Sequence, residues 1–431
     1  ADESLRDFGY RRVGKEFTDT FLDPMSAGIY ASTAAKLSVH AAFPAVVRLE
    51  REYGGLFKGM VKRRKRRAGP GGHLMSFKGG VGTFVDHLGE VLGESVRTGV
   101  KARGLRRTEG GYALVTTEGE VTADAVVLAT PAYAAARMLR HLDDDLAYWL
   151  GQVGYTPIAV VGFGYRELAH PLEGFGLLTT AASQQEILGV LWDSAIFPDR
   201  APSGKKSLRV MIGGQRNSEL AMRSEEELIE IARRGLTRTM GVTETPAVTF
   251  IKRWRRGIPN YRLGHLANVE RIFARVASQW PGLYLNSNAY WGIGLNDCVG
   301  NAKRCAEALV RDIPTSGPVI VYNAGFERSV LRALAAPKPA EATKTAKKKR
   351  GIVRVPSSEL RRVSPWRSGP TPGRRARSPS ASIAASTAAG KHEYRSNQLT
   401  SSMPIPAAAS TSDPAALIPA ERDRSGRCTG K

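Results

Sequence analysis

The sequence predicts a mixed α/β fold with two domains, because two β-patterned blocks each carry helices of their own. In the first block, helical periodicity at 84–92 and 132–151 flanks β-patterned stretches near residues 96–106, 112–117 and 125–129. The second block has predicted strands near residues 156–166, 186–193, 207–213 and 248–255. A helix from Ser224 to about Met240 interrupts it, and Ser224 with Glu227 has capping-box spacing.

The first sixty residues predict helices. Apolar residues recur at helical spacing from Leu5 to Met25 and again from Phe43 to Val61, and a run of six basic residues follows at 62–67. An apolar helical face beside such a run suits the surface of an anionic membrane. The alternative is that this face packs on the protein's own core, and the sequence favours neither.

The domain organisation follows from these patterns and from the end of the chain. A strand is predicted at 283–288, followed by a helix that buries Cys298, Ala302, Cys305 and Leu309. Few large apolar residues follow Pro337, and this composition predicts disorder. The predicted units are a helical, optionally membrane-associating segment at 1–72, a first domain from 73–150 and 283–313, a second domain at 151–282, an unassigned strand–helix unit at 314–336 and a disordered basic tail at 337–431.

Charge and cysteine content exclude some functional classes. The 63 Lys and Arg against 40 Asp and Glu give a net charge of +23, and 19 of those bases lie in the predicted tail. No aromatic residues alternate with the basic run at 62–67, so base-stacking sites are not apparent and nucleic-acid binding is disfavoured. The spacing of Cys298, Cys305 and Cys428 fits neither a disulfide framework nor a zinc site. This predicts that the protein resides in the reducing cytoplasm.

The common catalytic motifs are absent from the sequence, so they do not identify an activity. The sequence contains no Gly-x-Gly-x-x-Gly or Walker loop, no metal-ligand spacing and no nucleophile elbow. The strongest local signal is at 286–302, where a predicted strand runs through Gly292 and Gly294 into a helix. Free N–H groups and the positive end of the helix dipole then face a ligand, and the glycines allow close approach. A reduced flavin, negatively charged near N1 and O2, is one such ligand.

Short motifs along the chain resemble those of the protoporphyrinogen oxidase family, in the family's order from Asp2 to about Leu309. They include DESL at 2–5, GIYA at 28–31, LATPA at 128–132, GFG at 174–176, FPDRAP at 197–202, RW at 253–254, IP at 258–259, GHL at 264–266, NAY at 288–290 and GIGLNDC at 292–298. Amine oxidase and phytoene desaturase relatives share the flavin fold but lack the FPDRAP and Trp–Ile-Pro–Gly-His-Leu series. The chain is therefore similar to FAD-linked oxidoreductases of two domains, with a Rossmann-like FAD domain and a mixed-sheet substrate domain.

The resemblance implies binding residues for the cofactor FAD and for a porphyrinogen. The backbone of Ile293, Gly294 and Leu295 would contact the flavin, with Trp254 beside it. Ala102 stands where the family often has a valine whose backbone meets the adenine. Gly28 would lie close to the substrate. The implied residues of the apolar substrate slot are Phe175, Leu191 and Met211, with Phe197 at a neighbouring ring contact.

The reaction implied by the resemblance is the oxygen-dependent oxidation of protoporphyrinogen IX to protoporphyrin IX in haem biosynthesis. The macrocycle gives a hydride to the flavin, O2 reoxidises the flavin, and H2O2 is released. Tautomerisation of the macrocycle moves the protons, so no side-chain base and no metal are expected. The implied location is cytoplasmic, with a peripheral site on the cytoplasmic membrane face and a homodimer as open alternatives.

The family's Gly-rich FAD segment precedes the position of Asp2, and the chain opens at Ala1 without a signal peptide or an initiator Met. The sequence therefore predicts an incomplete FAD domain, weak FAD binding and little turnover. Three alternatives stay open: coproporphyrinogen III oxidation, an inactive membrane-associated remnant and a basic nucleic-acid-binding protein.

Overall fold

A computed structural model describes residues 2–56, 58–59, 61–62, 74–313 and 318–323, together with the backbone of 351–355. Helices and strands alternate along most of these residues. The helices are α1 Leu5–Val13, α2 Lys15–Phe17, α3 Asp23–Tyr30, α4 Val39–Ala42, α5 Pro44–Tyr53, α6 Gly82–Leu92, α7 Ala132–Leu139, α8 Asp144–Gly151, α9 Asp193–Ile196, α10 Glu225–Met240, α11 His265–Gln279 and α12 Leu295–Asp312. Within the described ranges, no helix is both long and apolar enough to cross a lipid bilayer.

The strands form three sheets. Their bounds are β1 Val96–Thr98, β2 Ala102–Thr108, β3 Gly111–Thr116, β4 Gly119–Ala123, β5 Ala125–Leu128, β6 Gly154–Tyr165, β7 Gly176–Leu178, β8 Ile187–Leu191, β9 Lys206–Gly213, β10 Val248–Asn260, β11 Leu283–Leu285, β12 Val319–Asn323 and β13 Gly351–Val355. The strand orders are β1-β13-β12-β5-β11, β10-β6-β9-β8-β7 and β2-β3-β4. These sheets and helices confirm the predicted mixed α/β class.

The first sheet is buried on both faces, and alternation along β5 shows how. Val126 and Leu128 face one core, which they share with the small sheet and with residues of α7, α8 and α11. Ala125 and Val127 face the opposite core, against Leu309 of α12. β5 runs parallel to both β11 and β12. Parallel strands require helices on both faces of their sheet. Helix α12 covers one of these faces, so α12 and the loop before it follow the end of β11.

Strand β12 confirms the strand predicted at the start of the 314–336 unit. It pairs with β5, and β13 pairs antiparallel with β12 and β1. The predicted disorder of residues 337–431 is wrong at Gly351–Val355, because these residues form strand β13. Its local sequence, GIVRV, is rich in β-branched residues, and the average composition of the tail hides this. Residues 324–350 and 356–431, which carry the remaining predictions for these two units, lie outside the described residues.

The second sheet is antiparallel and is covered by α10. Its strands confirm the four predicted ones within a few residues, except that β10 extends to Asn260. The capping box is formed: Glu227 N donates to Ser224 Oγ at 3.2 Å, and Ser224 N donates to Glu227 Oε2 at 2.9 Å. Leu228, Ile231 and Leu236 of α10 pack on this sheet. The short strand β7, which the alternation pattern did not reveal, lies at its edge.

Two predicted elements are each divided in two. The predicted helix at 132–151 is α7 followed by α8, because Asp143 leaves the helical conformation and accepts from Leu146 N at 3.0 Å as an N-cap. The predicted strand at 96–106 is β1 followed by β2, and Gly99 between them has a φ of 91°. The small strand β4 was not predicted.

The N-terminal helices pack on the protein's own core. Phe43, Val46 and Val47 lie in a cluster with Leu5, Phe8, Tyr30 and Tyr261. For these residues the contacts agree with core packing, the second of the two alternatives. Residues 63–73, which hold most of the basic run, lie outside the described residues. On α6, by contrast, Val85, Leu88 and Val91 are exposed.

Candidate functional site

The predicted flavin loop has a backbone that only glycine fits. Gly292 has a φ of 64°, and a Cβ built there would lie 2.4 Å from the Cβ and Cγ of Asp297. Asp297 is drawn into this position because its carboxylate accepts from Gly294 N at 3.2 Å, which caps the start of α12. The glycine loop, residues 292–294, therefore folds back tightly against the first turn of α12.

The surface beside this loop is both polar and apolar. Leu295, Asn296 and Asp297 form the first turn of α12, where the backbone N–H groups have no acceptor four residues earlier within the helix. The large side chains of Trp291, Leu295 and Val299 are 38, 44 and 50% exposed. The carboxylate of Asp297 neutralises part of the positive helix end, so charge alone makes it a weak anion site. A flat ligand that is apolar on its faces and polar at its edge matches this combination.

Buried aromatic residues support the glycine loop from beneath, and the sequence did not single them out. Ile293 packs on the cluster that contains Tyr30 and Tyr261. Tyr261 stacks on His265 with ring centroids 4.2 Å apart, and its hydroxyl donates to Asn288 O at 2.7 Å. Burial lowers the pKa of His265, so the imidazole is neutral near pH 7. These residues hold the loop in place. In the sequence, the GHL and NAY motifs were the signal that could have pointed to these supporting residues.

Three of the predicted residues, Leu191, Met211 and Trp254, lie in one apolar cluster. Gly28 is on α3, next in sequence to Ala27, which is a member of that cluster. We call this the slot cluster, and its members are Ala27, Ala31, Ile158, Leu188, Leu191, Met211, Trp254 and Ile258. Helix α3 and its C-cap residue Ala31 link the two clusters, because Ala27 and Ala31 lie in the slot cluster while Tyr30 lies in the cluster on which Ile293 packs.

Leu178, which the sequence analysis did not single out, lies against Gly28 of α3. A Cβ on Gly28 would lie 2.9 Å from Leu178 Cδ2, so the leucine side chain occupies the space that the glycine leaves. Leu178 is 41% exposed at the end of β7. Its side chain can therefore move into solvent at modest cost. The absence of a side chain at Gly28 was the only sequence signal for this contact.

Phe175 and Phe197 lie near the slot cluster but outside it. Phe175 is 49% exposed, and its carbonyl accepts from Trp192 N at 2.9 Å, one residue after Leu191. Phe197 lies under the guanidinium of Arg200, 5.3 Å from the ring centroid. The carboxylate of Asp193, on α9 just before Phe197, lies 3.3 Å from Arg209 Nε. Burial raises the pKa of this carboxyl, and Arg209 and Arg200 partly offset that rise.

Ala102 lies apart from the other predicted cofactor residues. Its amide donates to Tyr322 Oη at 3.1 Å, in the core between β2 and β12. A backbone contact to an adenine would use the carbonyl of Ala102 or would require this bond to open. The predicted cofactor residues thus occupy three places: the glycine loop with Leu295, Trp254 in the slot cluster, and Ala102.

The other titratable groups near the loop do not form a metal centre or a nucleophile pair. Cys298 and Cys305 are free thiols on α12; burial raises the pKa of Cys298 and raises that of Cys305 to about 11. Both therefore stay protonated near neutral pH. In the part of the chain that the structure describes, no group of three or more His, Cys, Asp or Glu side chains is placed to hold a metal ion.

Comparison with known proteins gives relatives over the same part of the chain. A protoporphyrinogen oxidase of rice chloroplasts is 32% identical over 72% of this chain and 63% of its own length. A coproporphyrinogen III oxidase of Bacillus subtilis is 29% identical over 70% of this chain and 66% of its own length. The chain thus spans slightly less than two thirds of these relatives.

A solved structure agrees with them. A protein assigned as a protoporphyrinogen oxidase, from Exiguobacterium sp. 255-15, superposes with a TM-score of 0.61 at 29% identity, covering 72% of this chain and 67% of that one. Residues 293–353, which include β12 and β13, also match a domain of unknown function. Residues 1–310, which contain the glycine loop and the slot cluster, match the flavin containing amine oxidoreductases. The chain belongs to that family, whose cofactor is a flavin.

Proposed function

We propose that this protein is an oxygen-dependent porphyrinogen oxidase that converts protoporphyrinogen IX to protoporphyrin IX. The observation that carries the proposal is the slot cluster. It is an apolar cluster of buried and half-buried side chains, and α3 links it to the cluster on which Ile293 of the predicted flavin loop packs. The similarity to the rice enzyme supports the same reading over 72% of the chain.

The residues present fit a flavin. The backbone of Ile293, Gly294 and Leu295 would hold it, with Trp254 on the side of the slot cluster and Ala102 toward an adenine. The exposed apolar side chains beside the amides of α12 match an aromatic ring system with a polar edge. When bound, FAD accepts a hydride from the porphyrinogen and passes the electrons to O2, which leaves as H2O2.

The protein's own contribution is positioning and exclusion of water. Met211 is 8% exposed and Leu191 half-buried, so a macrocycle that enters here exchanges water for apolar contacts on its faces. Leu178 moves away from Gly28 to admit it. Since the macrocycle can move its own protons by tautomerisation, the slot cluster needs no titratable side chain to act as a base.

Coproporphyrinogen III is the second candidate substrate, because the Bacillus subtilis relative acts on coproporphyrinogen by name. That substrate carries propionates where protoporphyrinogen carries vinyl groups. The members of the slot cluster are all apolar, and burying a carboxylate among them without a partner is costly. The slot therefore favours the vinyl-bearing substrate.

The test is an assay of porphyrin fluorescence with excess FAD and either porphyrinogen, with and without O2. We expect O2-dependent fluorescence, with a higher kcat/KM for protoporphyrinogen than for coproporphyrinogen. Preference for coproporphyrinogen would replace the first substrate with the second. No porphyrin from either substrate, while a flavin absorbance shows that FAD is bound, would refute the oxidase.

Truncating the slot should impair turnover without impairing the fold. We expect the double variant Leu191→Ala/Met211→Ala to lower kcat/KM by about ten- to a hundredfold, which corresponds to a loss of about 1.4–2.7 kcal/mol of apolar contact with the substrate. Flavin absorbance should stay unchanged. The matched control is Val190→Ala, one residue away and buried on the other face of β8 against α10. An equal loss of kcat/KM in the control would contradict a specific role for the slot.

We also propose that the protein is cytoplasmic and associates peripherally with an anionic membrane. The basic run at 62–67 and the exposed apolar residues of α6 support this association. Flotation with vesicles that contain anionic lipid, compared with neutral vesicles, tests it; equal recovery with both would contradict it. The predicted homodimer stays a prediction.

A further inference from the structure

A cavity of about 760 Å³ lies outside the slot cluster and the glycine loop. Its walls come from α7, α8, the first residues of β6 and the end of β10. None of the predicted flavin or slot residues lines it. Its volume falls within the range of small-molecule sites, roughly 300–1,000 Å³.

The cavity is strongly cationic. Arg137, Arg140, Arg256 and Arg262 line it, and Asp144 is its one acidic residue. In the described part of the chain, none of these four arginines forms an ion pair with a carboxylate within 4.0 Å. Like charges around a concave surface focus the field and raise the local concentration of anions. We call this site the arginine cavity.

Two of the arginines are held in place by the local backbone. The register of β10 against β6 shifts between Trp254 and Ile258, and Arg256 lies in this bulge with its guanidinium 4.6 Å from the centroid of Tyr133. Arg262 lies across Gly154, where a Cβ would be only 3.1 Å from the guanidinium carbon. Specific contacts therefore position two of the four guanidiniums that line the cavity.

Phenol groups complete the site. Tyr133, Tyr148 and Tyr155 line the same walls. The hydroxyl of Tyr155 accepts from Ala132 N at 2.9 Å, which leaves its own hydrogen for donation. Guanidinium groups bind phosphate and carboxylate oxygens in bidentate fashion, and phenol O–H groups add neutral donors.

We propose that the arginine cavity is a binding site for a small polyanion, a molecule with two or more clustered phosphate or carboxylate groups. A single small anion would contact only part of a cavity of this volume, whereas a polyanion can engage arginines on both the α7 wall and the β6–β10 wall. The site is separate from the proposed oxidase chemistry, so its test uses neither FAD nor a porphyrinogen.

The experiment is isothermal titration calorimetry of the full chain with pyrophosphate and, separately, with citrate, at about 0.15 M ionic strength. We expect saturable binding of at least one of them with one ligand per chain. Arg140→Gln/Arg262→Gln should weaken it by about tenfold or more. The matched control is Arg103→Gln/Arg238→Gln, which removes the same charge from exposed arginines outside the cavity and should leave affinity within about twofold.

A second variant separates position from charge. Gly154→Ala keeps every arginine but displaces the guanidinium of Arg262, so it should also weaken binding measurably. Tight binding of pyrophosphate alone identifies a phosphate ligand, and tight binding of citrate alone identifies a carboxylate ligand. No saturable binding of either probe, or an equal loss in the Arg103/Arg238 control, would overturn the proposal.

Discussion

Replacing Gly292 with valine should lower the affinity for FAD by about a hundredfold or more, which corresponds to roughly 3 kcal/mol. Two effects add. The φ of 64° is unfavourable for a β-branched residue, and the new Cβ would lie 2.4 Å from Asp297. Asp297 must then leave Gly294 N, so the backbone that would hold the flavin loses its shape. Titration of the purified variant with FAD, followed by flavin fluorescence, measures the change.

The control for this result is Gly204→Val. Gly204 has a φ of 72°, so valine introduces similar backbone strain, but a Cβ there would have no neighbour within 4 Å. It lies in the turn before β9, away from the loop, and should leave FAD affinity unchanged. FAD affinity equal to that of the unmodified protein in Gly292→Val would place the flavin elsewhere. Equal losses in both variants would indicate a general effect on folding.

Local patterns in the sequence predict the elements well where one face is buried. Apolar runs and alternation locate β5, β6, β9 and the helix after Ser224, because each buries its apolar side chains in the pattern that its conformation imposes. The break between α7 and α8 at Asp143 was not predicted, because an acidic residue within an apolar helical pattern can equally be an exposed position of one continuous helix. Its N-cap role depends on Arg275 and Trp280, which are distant in sequence.

Contacts between distant segments are what the sequence could not predict. Val319 of β12 pairs with Ala125 of β5, 194 positions away, and the bond from Ala102 to Tyr322 joins residues 220 positions apart. The resemblance supplied Gly28, Leu191, Met211 and Trp254 as candidates, and the structure brings the last three to one cluster, which also contains Ala27, the neighbour of Gly28. Leu178 was missed because its place against Gly28 arises only when β7 pairs with β8. The arginine cavity was missed for the same reason.

Removing the carboxylate of Asp143 should destabilise the folded protein by about 3 kcal/mol. The side chain is 1% exposed and accepts from Trp280 Nε1 at 2.7 Å, from Arg275 Nε at 2.8 Å and from Leu146 N at 3.0 Å. Asp143→Ala removes an N-cap, which costs about 1 kcal/mol. It also leaves the indole N–H of Trp280 without its acceptor, which costs about 1–3 kcal/mol. Urea denaturation followed by circular dichroism measures the difference.

The pH dependence of this loss of stability shows whether the ionised carboxylate of Asp143 stabilises the protein or only the packing of its side chain does. Burial alone would raise the pKa of Asp143, but hydrogen bonds from Arg275, Leu146 and Trp280 outweigh it and hold the pKa below its ordinary value of 3.8. Its stabilisation is therefore complete above that value and is lost as the pH falls through the lower pKa of the folded state. The difference in the free energy of unfolding between the unmodified protein and Asp143→Ala should be constant near neutral pH and should narrow below about pH 4.

Asp145→Ala is the matched control, because Asp145 is 68% exposed and approaches the same Arg275 at 3.5 Å. It should show no measurable loss at any of these pH values, and a loss equal to that of Asp143→Ala would assign the effect to the charge on the helix terminus and not to the buried carboxylate.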